Sequence, residues 1–258
     1  MSKVILKTQE DIEHLRKSAK VLSDLLVEIA KSIKPGITTL SLDKLAYDFI
    51  HDHQGTPAFL NYQGFPFSLC ISVNDQVVHG FPSDYMIQEG DLISVDGGVN
   101  LNGYISDSAY TFGVGEISKE AQQLLDVTKQ SLFEGVKEAV AGKRVGDISS
   151  AVQDYVTPYG YGIVRELVGH GVGHHLHEKP EVPNYGKRGN GPKLKEGMVL
   201  CIEPMINAGD RKIKFWDDGW TVSTADGSLS AHFEQMVAIR KGEPDVLLDF
   251  VEIEKVLG

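Results

Sequence analysis

The chain has few groups that could cross-link it. Its 258 residues hold two cysteines, Cys70 and Cys201, and no CxxC pair, which excludes a disulfide framework, a cysteine zinc site and a dithiol redox motif. A reducing, cytoplasmic setting is the expectation. No apolar run approaches the roughly 20 residues needed to span a bilayer. The opening MSKVILKTQEDIEHLRK turns polar too soon for the apolar centre of a signal peptide, so no membrane attachment is expected. Basic clusters are also scarce. Only Lys187 with Arg188, and Arg211 with Lys212 and Lys214, stand together in a chain of formal charge −11. Strong nucleic-acid binding, which needs clustered Lys and Arg to neutralise phosphates, is therefore not expected. Finally, no Pro/Gly/Ser-rich linker divides the sequence, which reads as a single domain over residues 1–258.

The composition itself, 41% hydrophobic and 24% charged, is that of an ordinary globular protein with enough chain to bury a core. Helical periodicity begins at Ile12, Leu15, Ala19, Leu22, Leu26 and Ile29, opened by Thr8 with Asp11 three residues on and closed by Pro35-Gly36. A shorter helix is predicted after Ser41, with Leu42, Leu45, Ala46 and Phe49 facing inward. Strand-like runs follow. The order then repeats: Ser118 caps a long helix through Leu124, Leu125, Thr128, Leu132 and Val136, and Asp147 caps a short one through Ile148, Val152, Tyr155 and Val156. Leu42 against Ile148, Ala46 against Val152 and Phe49 against Tyr155 share one offset of 106 residues. Common order and common offset argue for an internal duplication, with halves of approximately 1–110 and 111–258.

Two phrases sharpen the duplication. EGDLISVD (89–96) and EGMVLCIE (196–203) are buried strands that each end in a carboxylate, Asp96 and Glu203. An ionised carboxylate is costly in such a place unless it is paired or bound to a metal. After Asp96, the turn signal NLNG leads to Asp107. With Leu101-Asn102 as the loop the two aspartates are directly opposed, at a Cβ separation of about 4.5–5.5 Å where like charges repel; with Asn102-Gly103 as the loop they are diagonal neighbours. Either way the hairpin face asks for a cation. GHGVGHHLHE (169–178) holds four of the nine histidines, and its glycines argue for a strand or loop rather than a helical metal face over His170, His174 and His177. No HExxH motif is present. SLSAHFEQMVAIR reads as one strand carrying Glu234.

Asp96, Asp107, His170, Glu203 and Glu234, separated by 11, 63, 33 and 31 residues, resemble the metal ligands of the methionine aminopeptidases. CISVNDQVVHG (70–80), GHGVG with the later His177, EGMVLCIEP and DGWTVSTADGSLSAHFE (218–234) extend the likeness over nearly the whole chain, which is most similar to the short bacterial type I form. The resemblance implies an α+β pita-bread fold: a curved antiparallel sheet with two pairs of helices on its outer face and an internal pseudo-twofold. It implies two divalent metal ions per chain, drawn from Co, Mn, Fe, Ni or Zn, with Asp107 and Glu234 bridging. The implied reaction is hydrolysis of an N-terminal methionine before a small second residue, by a hydroxide shared between the metals. Glu203 is implied as proton shuttle, and His79 and His177 as hydrogen-bond partners of the substrate. The implied walls of the methionine pocket are Tyr62, Phe65, Cys70, His79 and Trp220, with Phe59 and Leu176 nearby. Phe59, Phe65 and Leu176 depart from the residues frequent in the family, so the pocket's size is not carried over. Asn74 and Ser230 resemble a monovalent-cation site. Expected partners are peptides and nascent chains beginning with methionine; a monomer is the default, and a transient ribosome contact is left open. The alternatives are a proline-specific aminopeptidase of the same fold, which usually carries an extra N-terminal domain, and a non-catalytic pita-bread binding protein, which typically loses ligands.

Overall fold

The computed structural model describes residues 4–258; the first three residues of the N-terminal segment discussed above lie outside it. Helix α1 spans Gln9–Ser32. It starts where the sequence places it, because Thr8 accepts the N–H of Asp11 while the Asp11 carboxylate accepts the N–H of Thr8. Its stripe from Ile12 to Ile29 is buried. Helix α2, Thr39–Asp52, begins three residues ahead of expectation: Thr38 is the cap and Ser41 lies in the first turn. Helix α3, Lys119–Lys137, is capped by Ser118 as predicted. Helix α4, Val145–Val156, corrects another boundary, since Asp147 is inside the first turn and its carboxylate reaches back to the N–H of Arg144. Helix α5, Val251–Leu257, packs against α1.

The strands form a four-stranded and a five-stranded sheet with two three-stranded ones, and every pairing within them is antiparallel. The central hairpin of the first half runs Leu92–Leu101 and Tyr104–Gly113, turning at Asn102-Gly103. Both turn residues have positive φ, 54° and 85°, which matches the right-handed twist of the strands they join. This register pairs Asp96 with Ala109 and Gly98 with Asp107. The two aspartates are thus diagonal neighbours, and the directly opposed arrangement is ruled out.

In the second half, Val199–Ile202 lies between Gly169–Gly171 and Gln235–Ala238. Here a further expectation is corrected. SLSAHFEQMVAIR is two strands, Ser230–His232 and Gln235–Ala238, that belong to different sheets. The chain changes sheet at Phe233-Glu234, just as it does at Glu203-Pro204 between Val199–Ile202 and Met205–Asn207. Both changes put a glutamate at the seam. The main core draws on both halves: α1 covers the first hairpin with α2 packed beside it on α1 and the strand Leu69–Val73, while α3 and α4 pack together with α3 resting on strands of the second half. No helix among the described residues is long and apolar enough to cross a membrane.

Candidate active site

At the seam between the halves, Asp96, Asp107, His170, Glu203 and Glu234 all line one cavity of about 180 Å³. The hairpin supplies the two aspartates. The strand Gly169–Gly171 supplies His170, confirming that the glycine-rich run is not a helix. Gly169 is required by proximity: a Cβ there would lie 2.4 Å from the carbonyl oxygen of Cys201. Glu234 is fixed by its backbone, whose N–H donates to the Ala109 carbonyl (2.9 Å) and whose carbonyl accepts from the Ser108 hydroxyl (2.7 Å). The second half's glutamate is thereby bonded to the first half's hairpin.

The electrostatics of this cluster call for positive charge. One carboxylate oxygen each of Asp96, Asp107 and Glu234 is buried with no protein hydrogen-bond partner. Burial pushes the Asp96 pKa up to about 8. Burial, and then repulsion from neighbouring carboxylates, raises Asp107, Glu203 and Glu234 well above the ordinary range. No lysine or arginine enters the site among the residues that line it. Ligand atoms of Asp107, His170 and Glu234 lie within 4.8 Å of one another, and His170 Nε2 is 3.7 Å from Asp107 and 3.5 Å from Glu203. The other nitrogen of His170, Nδ1, is 3.0 Å from the Gly171 carbonyl, to which it donates. That leaves the Nε2 lone pair facing the carboxylates, the usual arrangement of a metal-ligating imidazole. Burial depresses the His170 pKa to about 3, which keeps the ring neutral and able to ligate. Oxygen-rich carboxylates with one imidazole suit divalent ions of the first transition row.

Beside this cluster stand the predicted pocket walls. Phe59, Phe65, Cys70 and Leu176 form a separate buried apolar group, with Tyr62 and Trp220 packed on it. Trp220 meets Phe65 edge-on at 5.1 Å. Cys70 faces the site from the strand Leu69–Val73, paired with Asp96. Burial and the nearby aspartates hold its thiol well above the normal pKa, so it is a wall and not a nucleophile. His79 has φ +58°, an uncommon backbone for a non-glycine residue that aims the ring at the cavity. Burial lowers its pKa to about 4. His177 is exposed at the cleft mouth, yet its ring packs edge-on to His170 at 4.3 Å and its Nδ1 pairs with the Tyr62 hydroxyl at 2.8 Å. Desolvation lowers the pKa of this ring as well. Asn74 and Ser230 are neighbours, the Ser230 N–H donating to the Asn74 carbonyl at 2.9 Å.

Residues 13–241 match the sequence pattern of metallopeptidase family M24. The methionine aminopeptidase of Clostridium perfringens is 52% identical over 244 residues, 95% of this chain and 98% of that protein. The chain belongs to the methionine aminopeptidases of metallopeptidase family M24. The crystal structure of the methionine aminopeptidase from Thermotoga maritima superposes with a TM-score of 0.93 at 39% identity, covering 95% of this chain and 99% of that one. An X-Pro aminopeptidase from the same organism shares the fold, with a TM-score of 0.75 at 19% identity, but this chain spans only 62% of it. The fold is thus the pita-bread fold expected from the sequence, and the chain is an aminopeptidase of a metal-dependent family.

Two members of the site escaped the sequence reading. The Cys201 thiol lies within 4.8 Å of the ligand atoms of Asp107, His170 and Glu234. His232 lines the cavity with its Nε2 3.8 Å from Glu203. The available signal was strand alternation. Each stands two residues before a ligand, Glu203 or Glu234, the spacing at which side chains of one extended run share a face.

Proposed function

We propose that this protein removes methionine from the N-terminus of peptides and nascent chains whose second residue is small. The observation that carries the reading is one cavity with two kinds of wall: a carboxylate-imidazole cluster, and next to it the apolar box of Phe59, Phe65, Cys70, Leu176, Tyr62 and Trp220. An unbranched thioether fits irregular apolar and aromatic surfaces well. We read the chain as one catalytic domain of two pseudo-symmetric halves, because the proposed ligands come from both.

Asp96, Asp107, His170, Glu203 and Glu234 would hold two divalent ions, with Asp107 and Glu234 shared. When bound, such ions supply Lewis-acid polarisation of the scissile carbonyl and acidify the attacking water. The chain's own groups do the rest. Glu203, beside this cluster, accepts the water's proton and returns it to the departing amine, as its geometry in the cavity allows. His79, held neutral by burial, and His177 at the cleft mouth can donate hydrogen bonds to the substrate amide and to the carbonyl oxygen as it gains charge. The Tyr62 hydroxyl fixes which way the His177 ring points. The same two imidazoles narrow the cleft where the second residue lies, so bulky side chains there are refused. This activity implies N-terminal processing of new proteins in the cytoplasm; a monomer is proposed as the family's default.

Rates on a Met-Xaa-Met-Met series with and without Mn, Co or Zn, alongside a Xaa-Pro peptide, test the reading. Fast cleavage when Xaa is Gly, Ala or Ser and slow cleavage when it is Leu, Lys or Glu is expected. Norleucine in place of methionine should still be cut, because apolar fit alone discriminates by only about 10 to 200-fold per methylene. Cleavage before proline regardless of the first residue would instead identify a proline-specific enzyme.

A further inference from the structure

The two carboxylate oxygens of Glu203 each face a different imidazole. Oε1 is 3.5 Å from His170 Nε2, and Oε2 is 3.8 Å from His232 Nε2. His170 belongs to the proposed ligand set; His232 does not. His232 is 2% exposed, and neither of its ring nitrogens has a hydrogen-bond partner among the described residues. Buried polar groups in native proteins are nearly always paired, so an orphaned pair of nitrogens in a cavity wall asks for a role.

The fold does not use this ring. His232 is anchored by its backbone: its N–H donates to the Thr111 hydroxyl at 2.9 Å, and that hydroxyl donates to the His232 carbonyl at 2.7 Å. The strand Ser230–His232 pairs with Met205–Asn207, placing His232 against Met205, two residues beyond Glu203. These bonds fix the His232 backbone, and the ring stands with Nε2 3.8 Å from Oε2 without either nitrogen being engaged. We infer that His232 is a positioning residue, whose Nε2–H holds the oxygen of Glu203 that carries the proton, leaving the other oxygen for the ligand cluster with His170. The inference rests on the reading of Glu203 as proton shuttle. A separation of 3.8 Å in the substrate-free protein is compatible with it, because such bonds are commonly long before substrate binds and shorten in the working complex.

The test compares His232→Leu and His232→Gln with the unaltered protein. Three measurements are made: thermal midpoint without metal, metal affinity by calorimetry, and kcat and KM on Met-Ala-Met-Met with metal. The leucine variant should keep or raise the midpoint, since it removes an unpaired buried group, and should bind metal with unchanged affinity. Its kcat should fall on the order of 10-fold with KM nearly constant, as expected for loss of an interaction that acts on proton transfer. Glutamine retains an N–H donor of similar reach and should recover most of the lost kcat. The inference is overturned by an undiminished kcat in the leucine variant, by equal impairment of both variants, or by a loss of metal affinity that parallels the loss of turnover. A rise in KM alone would make His232 a pocket wall, and a lowered metal-free midpoint would make it structural. If the unaltered protein fails to cleave the peptide at all, the reading of the site fails, which is a distinct result.

Discussion

Lys7 and Glu178 form an ion pair whose side chains are each 2% exposed, tying the segment before α1 to the loop that carries His177. The remaining oxygen of Glu178 accepts the backbone N–H groups of His174 (3.0 Å) and His175 (3.2 Å). The Lys7 backbone is itself bonded to the Gly197 carbonyl at 2.7 Å. Removing one member of such a pair leaves a charge buried alone. Lys7→Met should therefore lower unfolding free energy by roughly 3 to 5 kcal/mol in urea denaturation. The double variant Lys7→Met/Glu178→Gln should recover part of it. No loss in the single variant would mean that water reaches Glu178.

The acidic cluster predicts how stability depends on pH. Asp96 rises from an ordinary 3.8 to about 8 in the folded protein, chiefly through burial, and Asp107, Glu203 and Glu234 shift the same way. A carboxyl whose pKa is higher folded than unfolded stabilises the fold below its unfolded pKa, and that contribution is lost as pH rises through the folded value. Metal-free protein should consequently have a lower melting temperature near pH 8.5 than near pH 5. Excess Mn or Zn should raise the midpoint most at the higher pH, because ions that bind only the folded state stabilise it by mass action. Calorimetry in buffers of different ionisation enthalpy should also show protons released on metal binding.

Asp107→Asn keeps the shape of the side chain and removes one charge from the centre of the cluster. Metal affinity and turnover should fall together. Two tightly held ions and unaltered rates in this variant would reduce Asp107 to a hairpin residue.

Glu203→Gln should separate the two functions proposed for that side chain. A neutral amide keeps an oxygen ligand but cannot take a proton, so kcat should drop by about 10² to 10⁴ while KM changes little. A loss confined to metal affinity would assign Glu203 to binding alone.

Gly169→Ala tests whether close backbone approach places His170. The new Cβ would meet the Cys201 carbonyl at 2.4 Å and the Val182 carbonyl at 3.2 Å, neither of which can swing aside as a side chain would. The strand must shift, at about 1 to 3 kcal/mol of stability, and metal affinity should weaken with it. Wild-type affinity would show that the sheet yields without moving the imidazole.

Local chemistry made much of this legible from the sequence. The Thr8 and Asp11 capping box, the Ser118 cap and the buried stripes of α1 and α3 depend on neighbours within one or two turns, and the helices formed as predicted. The same locality explains the small errors at the starts of α2 and α4: Thr38, Thr39 and Ser41 can all cap and only backbone geometry chooses among them, while Asp147 satisfies the Arg144 N–H from inside the first turn. The sequence also sufficed for the ligand set. Carboxylates at the ends of apolar runs are costly enough to mark themselves, and their spacing resembles one family's.

Tertiary structure decided what depends on contacts far apart in the chain. Hairpin register, and with it the diagonal placement of Asp96 and Asp107, followed from which two residues could turn at positive φ. The break of one predicted strand at Phe233-Glu234 came from Gln235–Ala238 and Ser230–His232 joining different sheets, a choice made by partners some 30 residues earlier. Cys201 and His232 looked like ordinary core residues. Only the pairing of Gln235–Ala238 with Val199–Ile202, and of Ser230–His232 with Met205–Asn207, brought the thiol near Glu234 and the imidazole near Glu203, because a pattern of period two gives the face a side chain shares but not which strand lies beside it.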